Sequence, residues 1–160
     1  MMRAIVYILV LTAIAALSIG VEAGTAIYYM PFFTTEQGNP TYCWTANKST
    51  ADVTATIQIM SANSSATPSQ TPLSKTLSIP AKQSKMLSFI GTAITIDNVS
   101  INISSEVGTG ASTVYSADIT FTSSGTLSCT KLGISCFQGT TTPRRNLVGY
   151  TCYDGTYFTF

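Results

Sequence analysis

Catalysis needs reactive side chains held close together, and this chain offers few that could be so held. It contains no histidine in 160 residues, which removes Ser-His-Asp and Cys-His nucleophile systems and the commonest transition-metal ligand. Cys43, Cys129, Cys136 and Cys152 lack the paired short spacings of a zinc site, and no Cys-x-x-Cys-His is present to attach haem. Ser74-Lys75 and Ser84-Lys85 are formal Ser-Lys dyads. Neighbours along a strand point to opposite faces, however, so neither pair can meet within its own strand. The carboxylates Glu36, Asp52, Asp97, Glu106, Asp118 and Asp154 are scattered, and no fragment sets two across a cleft as glycoside hydrolysis requires. Gly108-Thr109-Gly110 is a loop signal, not a phosphate cradle, because no helical pattern follows it. The expectation is a protein without catalytic residues, cofactor or metal.

Binding chemistry is better represented. Trp44, the single tryptophan, stands beside Cys43. By analogy with sandwich domains it is expected to pack on a disulfide in the core, the alternative being a sugar-stacking platform shared with Tyr42. Asn-x-Ser triplets begin at Asn47, Asn63, Asn98 and Asn102, of which Asn98 and Asn102 fall opposite Val99, Ile101 and Ile103, where a glycan could stand in solvent. Eight Lys and Arg against seven Asp and Glu leave the chain close to neutral. Nothing here is basic enough to track a phosphate backbone, so nucleic acid is set aside.

The compartment follows from the first residues and the cysteines. Met1-Met2-Arg3, an apolar run over 4–20 and then Val21-Glu22-Ala23-Gly24 form the pattern of a cleaved secretory signal, read as a signal helix over 1–23 with the mature chain beginning at Gly24. Retained, the same run would be a membrane anchor, the chain's one expected membrane contact. An even number of cysteines in an oxidising compartment implies two disulfides, with three possible connectivities. The expected set is a local clip, Cys129 with Cys136, and a long-range tie, Cys43 with Cys152. Hydroxyl-rich, charge-poor composition, 9% Asp, Glu, Lys and Arg, fits a secreted, extracellular or cell-surface setting.

Strands must position all of this. Val53, Ala55, Ile57 and Ile59 alternate with Thr54, Thr56 and Gln58, and Tyr115, Ala117, Ile119 and Phe121 alternate with Ser116, Asp118 and Thr120, the period of half-buried strands. Segments 73–80 and 84–90 read as strands joined hairpin-fashion through Pro80-Ala81-Lys82-Gln83, and 62–71 as a loop. Ile94 and Ile96 share a phase that Val99, Ile101 and Ile103 do not, which predicts a bulge or change of sheet at Asp97-Asn98. Segments 147–153 and 156–160 flank Asp154-Gly155, the preference of a two-residue type I′ hairpin, which sets Tyr153 opposite Thr156 and Cys152 opposite Tyr157. In 24–33, large apolar residues occupy both faces, and Pro31 confines the segment to an edge or end position. Eight to ten short strands with no helix after the leader predict one domain over 24–160, all-β, an antiparallel β-sandwich of immunoglobulin-like type, with a β-barrel as runner-up.

Tyr29-Met30-Pro31-Phe32-Phe33, then Tyr42, Asn47, Leu77-Ser78-Ile79-Pro80-Ala81 and Ser84, resemble secreted bacterial immunoglobulin-like sandwich domains of surface proteins over the first half of the mature chain. Chaperone-assembled pilus subunits are similar in having an apolar amino-terminal strand and an aromatic carboxy-terminal one. The resemblance implies a structural subunit of a surface filament or layer, with a monomeric glycan-binding module as the alternative. Both ends lack any Lys, Arg, Asp or Glu over 24–33 and 156–160, and uncharged edges template pairing between chains. Ile27, Tyr28, Tyr29, Met30, Phe32 and Phe33 are therefore candidates for a strand added to the next subunit, with Tyr157, Phe158 and Phe160 at the other end. Pairing of the first segment within its own domain is the competing expectation.

Overall fold

The structure, a computed structural model, describes residues 24–30, 33–35, 40–61, 72–108, 113–139, 145–147 and 151–159. The expected leader over 1–23, the loop at 62–71, Asn63, Phe32 and Phe160 lie outside the described residues. Thirteen strands among the described residues form two antiparallel sheets, and the protein is all-β.

The first sheet runs in the order β13 (Tyr157–Thr159), β12 (Thr151–Tyr153), β1 (Gly24–Tyr29), β9 (Thr113–Ser123), β4 (Val53–Ser61) and β5 (Leu77–Ile79). A short strand, β2 (Phe33–Thr35), continues along β9 beyond β1. The second sheet runs β11 (Arg145–Leu147), β10 (Leu132–Gln138), β3 (Thr41–Asn47), β6 (Ser84–Ile90), β7 (Ala93–Ile96) and β8 (Val99–Asn102). Alternation decides which residues enter the core. Val53, Ala55, Ile57 and Ile59 of β4 are fully buried, as are Ala117, Ile119 and Phe121 of β9, Leu87 and Phe89 of β6, and Ile94 and Ile96 of β7. These belong to one apolar cluster fed by both sheets, each fully buried Val, Leu, Ile or Phe contributing about 1.5–3 kcal/mol.

Several expectations fail at the joints. Residues 24–29 are not an edge: β1 sits inside the first sheet, bonded to β12 on one side and β9 on the other. Strand β1 ends at Tyr29, and Pro31 lies outside the described residues. The register on β9 then advances by one residue between β1 and β2. Strands β5 and β6 are not a hairpin either, because β5 pairs with β4 in the first sheet and β6 with β3 in the second. The turn between them, with Lys82 at φ 61° and Gln83 N–H donating to the Pro80 carbonyl at 3.1 Å, carries the chain from one sheet to the other.

Asp97-Asn98 is neither bulge nor sheet change. Both residues have positive φ, 49° and 63°, and they form the two-residue turn of a β7–β8 hairpin that sets Ile96 opposite Val99 and Ile94 opposite Ile101. Reversal of the chain accounts for the phase change, since residues on either side of a two-residue turn share a face. At Asp154-Gly155 the hairpin exists with a different register. Tyr153 pairs with Tyr157 and Cys152 with Phe158, a three-residue loop with Gly155 at φ 107°. Asp154 is held by its carboxylate, which accepts the Cys129 N–H at 2.7 Å. One turn of α-helix, α1 (Ser104–Val107), follows β8 and buries Val107.

Both disulfides form, with pairings other than those expected. Cys43 and Cys136 are direct cross-strand partners on β3 and β10, Cα atoms 4.0 Å apart. Cys129, in a 3₁₀ turn (Cys129–Lys131) that leads into β10, bonds to Cys152 of β12 and ties the second sheet to the first. With each cysteine so placed, neither Cys129–Cys136 nor Cys43–Cys152 can form. On chain entropy the 93-residue and 23-residue separations correspond to about 4.6 and about 3.4 kcal/mol.

Candidate binding surfaces on the two sheets

Trp44 is the clearest surprise. Along β3, Thr41, Cys43, Thr45 and Asn47 are buried, while Tyr42, Trp44 and Ala46 face outward. Because Cys43 aims its sulfur inward, its neighbour must point out, and Trp44 is 50% exposed. The expected packing of the indole on a disulfide is thereby overturned.

Trp44 lies opposite Met86 of β6 and Ser135 of β10. Tyr42, half-buried in the next outward row, lies opposite Ser88 and Phe137. Trp44 and Met86 line a groove of about 200 Å³ with Ser84, Lys85, Ser88, Thr95, Asp97 and Asn98. At one end Lys85 Nζ meets Asp97 Oδ1 at 3.3 Å, a half-exposed pair of small energetic weight that still fixes where two charges sit. The groove therefore joins an apolar floor to hydroxyl, amide and charged groups. Ser84 and Lys85, once a formal dyad, both line it, with the Lys85 ammonium engaged by Asp97.

The terminal aromatics gather elsewhere. Tyr28 and Met30 are buried, and Tyr28 packs edge-on against Phe121 at 5.7 Å. The Tyr28 hydroxyl lies within hydrogen-bond reach of the Cys129 and Leu132 carbonyls, 3.4 and 3.3 Å, beside a cavity of about 290 Å³ that Lys48, Thr130 and Ile134 also line. Burial, with a smaller contribution from the Asp154 charge, pushes its pKa up to about 12. Ile27 and Tyr29 alternate to the outer face of the first sheet. There Tyr29 comes within 6.5 Å of Tyr157, and Tyr153 within 4.6 Å of Tyr157, centroid to centroid. Strand β13 has no partner beyond it among the described residues, leaving Tyr157 67% exposed and Phe158 partly exposed. Phe33 contributes backbone pairing to Tyr115.

No protein family, curated protein or solved structure matches the chain.

Of the remaining sequence candidates Glu36 lies outside the described residues, and the described ones stay apart. Asp52 caps the inter-sheet turn by accepting the Ala81 N–H at 2.9 Å, Asp154 holds the disulfide turn, and Glu106 lies beside Ser105 on α1. Among the described residues no three His, Cys, Asp or Glu converge as a metal site. Nor is any described helix long and apolar enough to cross a membrane. Of the Asn-x-Ser sites, Asn98 and Asn102 are exposed, whereas Asn47 is buried with all its polar atoms engaged. The exposure of Asn98 and Asn102 follows the expectation from their phase, whereas the burial of Asn47 was not expected from its triplet.

Proposed function

We propose that the protein is an exported, non-enzymatic module with an immunoglobulin-like β-sandwich fold that acts at or outside the cell surface by holding glycan against Trp44. One observation carries this reading: a half-exposed tryptophan beside Met86, in a groove rimmed by Ser84, Ser88, Thr95, Asp97 and Asn98. An indole facing water presents a flat apolar surface with a polar N–H, and a sugar ring offers an apolar face to the indole and hydroxyls to the rim. Two disulfides among the described residues support an oxidising compartment.

Trp44 is the sole tryptophan, so intrinsic fluorescence reports on the groove directly. Titration with neutral and amino-sugar oligosaccharides is expected to shift the emission to the blue and to protect it from iodide and acrylamide quenching. An emission spectrum and quenching constant that no glycan in the panel alters would rule the reading out.

A second reading, a structural subunit of a surface filament or layer, is favoured by the uncharged open strand β13. In this reading chains join at β13, since β1 is bonded on both sides in its own chain. Ordered polymers by electron microscopy, lost on Tyr157→Lys, would support it; a monomer at all concentrations would dismiss it.

A further inference from the structure

The wall of the Trp44 groove contains a residue to which a sugar can be attached. Asn98 opens the triplet Asn98-Val99-Ser100, is exposed and lines the groove together with Trp44 and Met86. Strand register shows how near it stands. Trp44 lies opposite Met86, and the pairing of Leu87 with Ile96 sets the residues just beyond that pair, Met86 and Asp97, side by side. The row therefore runs Trp44, Met86, Asp97, with Asn98 completing the β7–β8 turn at its end. Two strand spacings, about 10 Å, separate the backbone of Trp44 from that of Asp97. The second exposed triplet is placed differently. Asn102 pairs with Ala93 at the far end of β8, about 13 Å along the strand from Asn98, and its Oδ1 accepts the Ser104 N–H at 2.8 Å. Asn102 is not part of the groove wall.

We propose that Asn98 is an N-glycosylation site whose glycan folds back over Trp44, so that the chain's own sugar covers the groove. In the covalent step Asn98 Nδ2 attacks C1 of an oligosaccharide carried on a polyprenyl pyrophosphate, the sugar donor of a host that glycosylates Asn-x-Ser. The Nδ2–C1 bond forms and the C1–oxygen bond breaks. The polyprenyl pyrophosphate leaves with the electron pair, and Nδ2 gives up one proton. Groove size and tethering support this occupant. At about 200 Å³ the groove is smaller than the roughly 300–1,000 Å³ of sites that hold a drug-sized ligand, so it suits one or two sugar rings making few contacts. Attachment at the rim compensates, because a short tether sets an effective concentration in roughly the millimolar range. The ring that reaches Trp44 stacks on the indole, while Ser84, Ser88, Thr95 and the Lys85–Asp97 pair meet its hydroxyls. The proposal rests on the reading of this groove as a sugar-binding surface and adds its regulation. A chain glycosylated at Asn98 holds its own glycan, and a chain without that glycan is open to another.

The full chain, secreted from a host that glycosylates Asn-x-Ser, is compared with Ser100→Ala, which removes the triplet and leaves Asn98 in place. Ser104→Ala does the same for Asn102 and serves as the control. Glycopeptide analysis is expected to find sugar at Asn98 in the parent and in Ser104→Ala. Acrylamide quenching of Trp44 is expected to be weak in both of those proteins and to strengthen in Ser100→Ala, whose emission shifts to the red. Asn98→Gly, which suits the positive φ at that position, is expected to behave as Ser100→Ala does, so the result does not depend on one variant; circular dichroism checks that each folds. Absence of sugar at Asn98, or equal quenching of the parent and Ser100→Ala with Asn98 occupied, overturns the proposal. Added oligosaccharide separates it from the reading on which it rests. The panel is expected to protect Trp44 in Ser100→Ala and to leave the parent unchanged. Protection of the glycosylated parent by added sugar would show the groove open and overturn coverage by Asn98. A shielded parent beside a Ser100→Ala protein that no added glycan protects would uphold coverage by Asn98 and refute only the capture of glycan from outside.

Discussion

Replacing Asn47 by Ala is expected to cost about 4 kcal/mol of folding stability. Asn47 ends β3 and is 1% exposed. Its Nδ2 donates to the Ala51 carbonyl at 2.8 Å and the Ile79 carbonyl at 3.0 Å, and its Oδ1 accepts from the Ser49 N–H at 2.9 Å and the Ser49 hydroxyl at 2.6 Å. Four bonds at about 1 kcal/mol each give the figure, equivalent to roughly 12–15 °C in Tm for a chain of this size. The side chain joins the end of β3 in the second sheet to β5 in the first, so its loss loosens the seam between sheets. Asn47→Asp separates the donor half from the acceptor half. An ionised carboxylate would face two carbonyls, so its folded pKa must rise above the unfolded value of about 3.9. The protonated acid can donate one bond, and that contribution is present below about pH 4 and lost as pH rises through the raised folded value. Urea unfolding of both variants at pH 3.5 and 7 measures the effect, with exposed Thr50→Ala as a control expected within about 0.5 kcal/mol of the parent. A loss under 1 kcal/mol for Asn47→Ala, or a pH-independent Asn47→Asp, would refute the reasoning.

Peptide mapping without reduction is expected to recover Cys43 linked to Cys136 and Cys129 linked to Cys152, and any other pairing contradicts the fold. Expressed in a host that glycosylates Asn-x-Ser, the protein is expected to carry glycan at Asn98 or Asn102 and none at Asn47, whose amide nitrogen is already spent; intact-mass and glycopeptide analysis decide. Gly24→Ala is expected to destabilise by about 1–3 kcal/mol, because an added Cβ would lie 2.2 Å from the Leu127 nitrogen and 2.7 Å from the Gly125 oxygen; thermal melts report it. Asp118 has a raised folded pKa from burial, so the stability it contributes as a neutral acid is present below about pH 4 and lost as pH rises through the raised value. Asp118→Asn is therefore expected to gain stability relative to the parent at pH 7 and not at pH 3, by the same denaturant titration.

How much of this was legible depended on whether the deciding contact was local. The alternation of Val53 to Ile59 and of Tyr115 to Phe121 announced two strands that the structure contains as Val53–Ser61 and Thr113–Ser123, because period two follows from backbone geometry alone. The outward turn of Trp44 could have been read from the same rule, given that Cys43 faces in, and analogy with sandwich domains pointed the wrong way. At Asp97-Asn98 the phase change was real, but a change of phase does not distinguish a bulge from a chain reversal. The register at Asp154-Gly155 was set by a bond to Cys129, 25 residues away in sequence. Cysteine connectivity and the interior place of β1 depended on strand order, which no local pattern encodes.

The interior position of β1 also dictates an order of events during synthesis. Residues 24–29 leave the ribosome well before their partners, 118–123 and 151–153. Until those residues are made, Ala26, Tyr28 and Met30 have nowhere to be buried, and pairing across such separations is slow even once the chain is complete. Strand β1 is thus made well before β9 and β12, between which it is seated. For much of its early life the nascent protein carries an unattended, uncharged β-forming segment.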